Sequence, residues 1–387
     1  MGDSLQKIRR VTRKEVAEDK EKIAVLIVDD SALMRNLISR IVENAEDLTV
    51  AGKAMNGEFA LQKIPKLKPD VIILDLEMPE MNGIEFLKQR KDRGIDVPVV
   101  ILSSLARKGA KITMEALSLG ASDFIMKPSG PVSEDIHKVG EHLINAIRAY
   151  GLNYRKKKGV IITESAGKAP PKPKPAEVPP QIKIPEPPEV SAKAGPIELI
   201  AMGISTGGPN ALREIFSRID ASLGVPIIVV QHMPAGFTEE FAKSLDRICP
   251  LDVSEAKDED LLKPGRVLIA PGNYHVEVEK RRLAGIVRLS SSDPINGHRP
   301  SADVLFGSVA KHYGKGSLAV IMTGMGRDGA REIGKIAEAG GVTIAQDQET
   351  SVVFGMPKVA IENGFIHHVL PLKEIAPAIG RIVDELK

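Results

Sequence analysis

The chain has 387 residues, of which 43% are hydrophobic and 27% charged, with a formal net charge of +2. At ~150 residues per domain this length implies two or three domains, and the near-neutral balance gives no reason to expect nucleic acid or an anionic membrane as the principal partner. The single Cys249 excludes an internal disulfide and suits a reducing compartment. No apolar run approaches the ~20 residues of a membrane span, and residues 1–22 mix both charge signs without the apolar centre of a signal peptide. A cytoplasmic protein without direct membrane insertion is expected. Residues 1–22 read as an N-terminal tail to which no function attaches.

From Ile23 the chain alternates apolar strands with amphipathic helices. "IAVLIVDD" is a strand ending in acids, and "SALMRNLISRIVENA" places Leu33, Leu37, Ile38, Ile41 and Val42 on one helical face. Strand "LTVAGKA" and helix "GEFALQKIPKL" follow, then "DVIILDLEMPEMNG", "GIEFLKQRKDR", "VPVVILSS", "ITMEALSLG", "DFIMKPS" and a last helix through "IHKVGEHLINAIRAYG". This β-α alternation predicts a five-stranded doubly wound parallel sheet. In the strand order 2-1-3-4-5, Asp29 and Asp30 at the end of the first strand adjoin Asp75 at the end of the third, across the point where such folds bind ligands. Three acids so close repel unless a cation joins them. An oxygen-only set that leaves room for water suits Mg²⁺, and with the metal bound one carboxylate can attack a phosphoryl group. Ser103 and Lys127, at two further strand ends, supply a hydroxyl and a cation for a phosphate at Asp75. The bland alternative is that these acids cap turns and helix starts.

"VDDS", "LDLEMPEMNG", "ILSS" and "IMKP", in that order, resemble the receiver domain of response regulators over about residues 23–145. The resemblance implies Asp75 as phosphoacceptor. It implies Asp30 and Asp75 as direct Mg²⁺ ligands, Asp29 acting nearby or through water, and the Glu77 carbonyl as a further ligand. It puts Ser103 and Phe124 at the switch positions, with Lys127 beside the phosphate.

Between Lys156 and Pro196 repeated prolines block helix and remove ladder donors, and too little apolar surface remains for a core. Residues 23–150 are therefore expected to form the receiver, 151–195 a proline-rich linker acting as a semi-stiff spacer, and 196–387 a second domain. In the second domain "IELIAMG", "VPIIVVQHM", "RVLIAPG", "SLAVIMTGMG" and "GVTIAQD" read as strands of another doubly wound, mainly parallel α/β/α sheet. "YHVEVEKRRLAGIVRLSSS" reads as an antiparallel excursion turning around Arg281–Gly285.

"GISTGGPN" joins the first of these strands to a helix. It lacks both the G-x-G-x-x-G spacing of a dinucleotide loop and the lysine of a P-loop. It does carry G-x-S-x-G, whose small residues permit a sharp turn that lifts Ser205 to the sheet edge. Such pentapeptides also arise as plain turns, so a base and an orienting acid decide the matter. Of eight histidines, His137 and His142 lie on the receiver's last helix, and His367 and His368 near the C-terminus. His232 follows a strand directly, at the carboxyl edge of the sheet, while His275 and His298, in loops, remain competitors. Asp328, in "TGMGRDGA", lies just after the strand "SLAVIM", and the glycines of its turn let backbone N–H groups approach a ligand.

"GISTGGP", "QHMPAGFT", "APGNYH", "GHRPSADVLF" and "MTGMGRDGA", with the order Ser, His, Asp, resemble the catalytic domain of the chemotaxis response-regulator protein-glutamate methylesterases over about residues 196–385. The resemblance implies hydrolysis of glutamate γ-methyl esters on the cytoplasmic domains of chemoreceptors to glutamate and methanol, and deamidation of receptor glutamines in some members. It implies Ser205, His232 and Asp328 as the catalytic residues, Met325 and Thr206 as oxyanion or support positions, and no cofactor in the esterase site. It further implies a chemotaxis histidine kinase as phosphodonor. A monomer is expected, in which the unphosphorylated receiver shields the Ser205 edge. A transcriptional output module would instead require a basic helix-turn-helix, whereas acids outnumber bases in residues 195–387.

Overall fold

The computed structural model describes residues 22–104, 107–127, 135–159 and 194–387. The expected tail and most of the proline-rich linker lie outside the described residues, as does the side chain of His137.

In the N-terminal unit the strands are Ile23–Val28 (β1), Leu48–Ala54 (β2), Val71–Asp75 (β3), Val99–Ser103 (β4) and Asp123–Met126 (β5). They form one sheet of order β2-β1-β3-β4-β5, parallel throughout. Every residue of β3 and β4 is buried. A parallel strand covered on both faces needs such an unbroken apolar run. The helices are Ala32–Glu43 (α1), Gly57–Leu67 (α2), Gly83–Asp92 (α3), Arg107–Ser118 (α4) and Asp135–Lys157 (α5). Side chains start them: Ser31 accepts from the Met34 amide at 3.3 Å, and Asn82 and Glu85 form a reciprocal capping box. Two details differ from expectation. Leu33, assigned by periodicity to the inner face of α1, is 67% exposed, because only Ile38 and Val42 of that apolar set reach the fully buried layer. The helix α5 runs to Lys157, beyond the expected boundary at residue 150.

The C-terminal unit is built on β6 (Leu199–Ile204), β7 (Ile227–Gln231), β8 (Asp252–Glu255), β9 (Leu261–Leu262), β10 (Arg266–Ile269), β11 (His275–Lys280), β12 (Gly285–Ser290), β13 (Ser317–Ile321), β14 (Val342–Gln346) and β15 (His368–Leu370). Seven of these form a parallel sheet of order β15-β14-β13-β6-β7-β10-β8. The antiparallel excursion is a separate three-stranded sheet, β11-β12-β9. Its helices are Gly208–Phe216 (α6), Phe237–Asp246 (α7), Ala302–His312 (α8), Glu332–Glu338 (α9), Met356–Glu362 (α10) and Leu372–Glu385 (α11). The core cluster joins Leu199, Ile228, Leu268 and Ile321 of the large sheet to Val276 of the small one and Phe306 of α8. The two outermost strands of the large sheet, β8 and β15, are short and carry no unbroken apolar run.

The connections leave β6 toward β7 on one side and reach β13 on the other. The strand order therefore reverses beside β6, and the crevice outside the carboxyl ends of β6, β7 and β13 is where such a sheet accommodates a ligand. Among the described residues no helix is long and apolar enough to cross a membrane.

Candidate active site

Ser205 follows β6, His232 follows β7, and Asp328 lies in the turn after β13. Sheet register brings the three ends level. Ile204 pairs with Gln231 and Gly203 with Ile321, while the Ser205 amide donates to the Thr323 carbonyl at 3.0 Å and the His232 amide to the Ile204 carbonyl at 3.2 Å. The Gly203–Gly208 turn works because side chains are missing. Gly207 has φ 80°, a region L-residues avoid, and a Cβ there would lie 2.8 Å from Val352 Cβ. Gly207→Ala combines a left-handed strain with overpacking and should destabilise the chain by about 2–4 kcal/mol, read as a lowered urea midpoint at unchanged slope.

His232 Nδ1 lies 3.1 Å from Ser205 Oγ, and its Nε2 lies 2.8 Å from Asp328 Oδ2. The carboxylate can only accept, so Nε2 carries the proton and Nδ1 is left to accept from the serine hydroxyl. Ser205 is nearly buried and Asp328 fully so. Burial by itself would raise the Asp328 carboxyl. The hydrogen bond and charge of His232, with the donors Ser301 and Ala302, outweigh it and hold the group well below the usual carboxylate range. Asp328 Oδ1 accepts from Ser301 Oγ at 2.6 Å, Asn296 Nδ2 at 3.1 Å and the Asp303 amide at 3.3 Å, and Oδ2 accepts from the Ala302 amide at 2.6 Å. Ala302 and Asp303 open α8, and the Ser301 side chain caps no amide of that helix. Asp328 is thus the N-cap of α8 supplied from another loop, and the positive helix end favours its charge.

Gly324 approaches Ser205 so closely that a Cβ there would meet Ser205 Cβ at 2.8 Å. The backbone amides of Thr206 and Met325, one on each side of this approach, make no hydrogen bond among the described residues. The Ser205 carbonyl, in the same peptide as the Thr206 amide, accepts from Gln231 Nε2 at 3.1 Å and from the Gly208 amide at 2.8 Å, which fixes that peptide. A cleft of about 700 Å³, lined among others by Asn296, Asp303, Val304, Arg327 and Arg331, shares Asn296 with the Asp328 network.

The competing histidines separate cleanly. His275 is buried, with Nε2 on the Asp293 carbonyl at 3.0 Å. His367 is buried against Thr343, and His142 is exposed. His298 does reach the site, as a ring stacked on His232. Sequence reading missed Gln231, whose Nε2 donates to the carbonyls of both Ser205 (3.1 Å) and His232 (3.0 Å). It also missed Ser301 and Asn296. The Asn-Gly pair at 296–297 was a usable turn signal.

In the N-terminal unit, the register Leu74–Val28 sets Asp75 beside Asp29. Asp29, Asp30 and Asp75 each offer a carboxylate oxygen within 4.8 Å of the others. Lys127 Nζ lies 2.7 Å from Asp75 Oδ2 and 3.3 Å from Asp29 Oδ2. Burial raises the Asp75 carboxyl above its ordinary value although Lys127 pulls it down. Burial would lower Lys127, but Asp75 and Asp29 outweigh this and raise it. The buried Asp29 Oδ2 has no hydrogen bond among the described residues. Its ion-pair partner among the described residues is Lys127, shared with Asp75, and three clustered carboxylates around a single ammonium fit a hard divalent cation. The Lys127 amide donates to the Ser103 carbonyl at 2.7 Å, so Ser103 and Lys127 are backbone neighbours. Phe124 is half-buried in β5, paired with Ile101, and Glu77 donates its amide to Asp75 Oδ1 at 3.3 Å.

The family model for CheB methylesterase matches residues 200–379, and that for the response regulator receiver domain matches residues 25–138. A protein-glutamate methylesterase/protein-glutamine glutaminase of Treponema denticola is 54% identical over 94% of this chain and 99% of its own length. Its counterpart of the same description in Treponema pallidum is 46% identical over 93% and 96%. The crystal structure of the Thermotoga maritima CheB methylesterase catalytic domain, 42% identical, aligns with 48% of this chain and 99% of that one at a TM-score of 0.48. With a receiver sheet preceding a Ser-His-Asp site at the crevice of a second parallel sheet, the chain belongs to the CheB family of protein-glutamate methylesterases/protein-glutamine glutaminases.

Proposed function

We propose that this chain is a phosphorylation-regulated serine esterase that removes methyl groups from glutamate γ-methyl esters on the cytoplasmic domains of chemoreceptors. The observation that carries the reading is the unbroken contact from Ser205 Oγ through His232 to Asp328, at 3.1 and 2.8 Å. Ser205 Oγ attacks the ester carbonyl as His232 Nδ1 takes its proton, and Asp328 stabilises the imidazolium. The Thr206 and Met325 amides donate to the oxyanion. As the tetrahedral intermediate collapses, His232 returns the proton to the methoxy oxygen and methanol leaves. Water, deprotonated by His232, then cleaves the acyl-serine to give glutamate. The same attack on a glutamine carboxamide would release ammonia in place of methanol, in keeping with the glutaminase description of the relatives. No step calls on a cofactor in this site. The chain is proposed to act in the cytoplasm as a monomer, with no nucleic-acid partner.

In the receiver, Asp75 is the proposed phosphoacceptor and a chemotaxis histidine kinase the donor. Asp30, Asp75 and the Glu77 carbonyl would hold Mg²⁺, with Asp29 beside it. The bound ion would neutralise charge on the transferring phosphoryl group. Lys127 would pair with the phosphate, and Ser103 and Phe124 would relay its presence. With acetyl phosphate and Mg²⁺, wild type should gain one phosphoryl group by intact-mass measurement and Asp75→Asn none. Equal labelling of the two would refute the assignment. EDTA should abolish labelling of the wild type.

A further inference from the structure

The four residues Ile295-Asn296-Gly297-His298 form a closed two-residue turn. The Ile295 amide donates to the His298 carbonyl at 3.1 Å and the His298 amide to the Ile295 carbonyl at 2.9 Å. Asn296 has φ 52° and Gly297 φ 79°, the paired left-handed conformation of a type I′ turn, which an Asn-Gly sequence adopts at least cost. Two of the turn's side chains diverge onto two members of the triad. Asn296 Nδ2 bridges Asp328 Oδ1 (3.1 Å) and Asp303 Oδ2 (2.8 Å). The half-buried His298 lays its ring flat on His232, with centroids 3.8 Å apart and planes 12° from parallel.

The geometry points to His298 as a positioning residue for the catalytic base, presented by a turn whose other arm anchors the acid. This rests on the triad reading above. His232 is held at its two nitrogens by Ser205 and Asp328, contacts that lie in the ring plane and resist in-plane displacement. Neither opposes tilting of the ring out of that plane. A second ring 3.8 Å away covers one whole face, blocks that tilt and keeps water off the imidazole. Nucleophile activation depends on Nδ1 staying within hydrogen-bond reach of Oγ, so a loosened ring costs turnover more than substrate binding. A flat ring is what the role requires.

The test compares full-length wild type, His298→Ala, His298→Phe and Ser205→Ala. Two readouts are used: the second-order rate of fluorophosphonate labelling at Ser205, located by mass spectrometry, and kcat and KM for methanol release from methylated receptor. His298→Ala should lose about 10-fold in labelling rate and in kcat with KM within twofold, and His298→Phe should recover to within about threefold of wild type. Unfolding midpoints identify any variant that has lost its fold, and labelling is then read only for the folded ones. His298→Ala within twofold of wild type, or a folded His298→Phe as slow as His298→Ala, overturns the positioning role. If Ser205→Ala hydrolyses ester as fast as wild type, the triad reading itself has failed, an outcome distinct from either.

Discussion

Replacing Ser205 with alanine should lower kcat for glutamate γ-methyl ester hydrolysis by about 10⁶-fold, with KM little changed. The size follows from the arrangement. Once Oγ is gone, His232 has nothing to deprotonate but water, and the acyl-serine route closes. What survives is binding plus any oxyanion stabilisation by the Thr206 and Met325 amides, which leaves a residual rate above that of water alone. Fold should survive, because Ser205's structural bonds are made by its backbone: the amide to Thr323 and the carbonyl to Gln231 Nε2 and the Gly208 amide. Initial-rate kinetics with far-ultraviolet circular dichroism as a fold control check both halves. Activity within tenfold of wild type would remove Ser205 from the chemistry.

Asp328→Asn should cost about 10⁴-fold in kcat, for a reason the hydrogen bonds specify. Both Asp328 oxygens accept, and all five of their partners donate: His232 Nε2, the Ala302 and Asp303 amides, Ser301 Oγ and Asn296 Nδ2. An asparagine must turn its NH₂ toward one of the two groups of donors. Turned toward His232, it forces the proton onto Nδ1, where it faces Ser205 and blocks deprotonation of the hydroxyl. Turned the other way, it meets Asn296 and the Asp303 amide with like polarity. Either orientation also weakens the start of α8, at about 1.5–3 kcal/mol for a lost charge-assisted bond in this buried site. The stability part has a pH signature. The folded carboxyl lies well below its unfolded value, so its stabilisation is fully present above about pH 4 and is lost as pH falls through the folded pKa. The stability gap between wild type and Asp328→Asn should therefore narrow on going from pH 7 to pH 3 in urea melts. A gap that widens would contradict the assignment.

The central strands were legible because burial on both faces leaves an unbroken apolar run, as in "VIILD" and "VVILS". The acids at the ends of those runs were legible because a carboxylate there has no core role. The edge strands β8 and β15 were not. "DVSE" and "HVL" are short and half-exposed, so no periodicity marks them, and only pairing with β10 and β14 makes them strands. Leu33 shows the converse failure, since helical spacing put it on the inner face of α1 while the packed layer begins a turn later. At the site, Ser205, His232 and Asp328 could be assembled because each lies at or just beyond the carboxyl end of a strand of one sheet. His298 and His275 could not be ranked from sequence. Both were read as loop residues, but His275 opens β11 and pairs with Ser290, and what distinguishes the two, a stacked ring against a buried bond to a carbonyl, is tertiary. The donors around Asp328 were hidden for the same reason. Asn296 and Ser301 are remote from it in sequence and meet it only through the turn at 295–298 and the start of α8.

Methanol release from methyl-labelled chemoreceptor by the full-length chain, with and without acetyl phosphate and Mg²⁺, tests the account most directly. It predicts methanol in step with loss of receptor methyl groups, a higher rate with the phosphodonor in wild type, and no such rise in Asp75→Asn. No methanol from the wild-type chain under either condition, or release undiminished in Ser205→Ala, would contradict it.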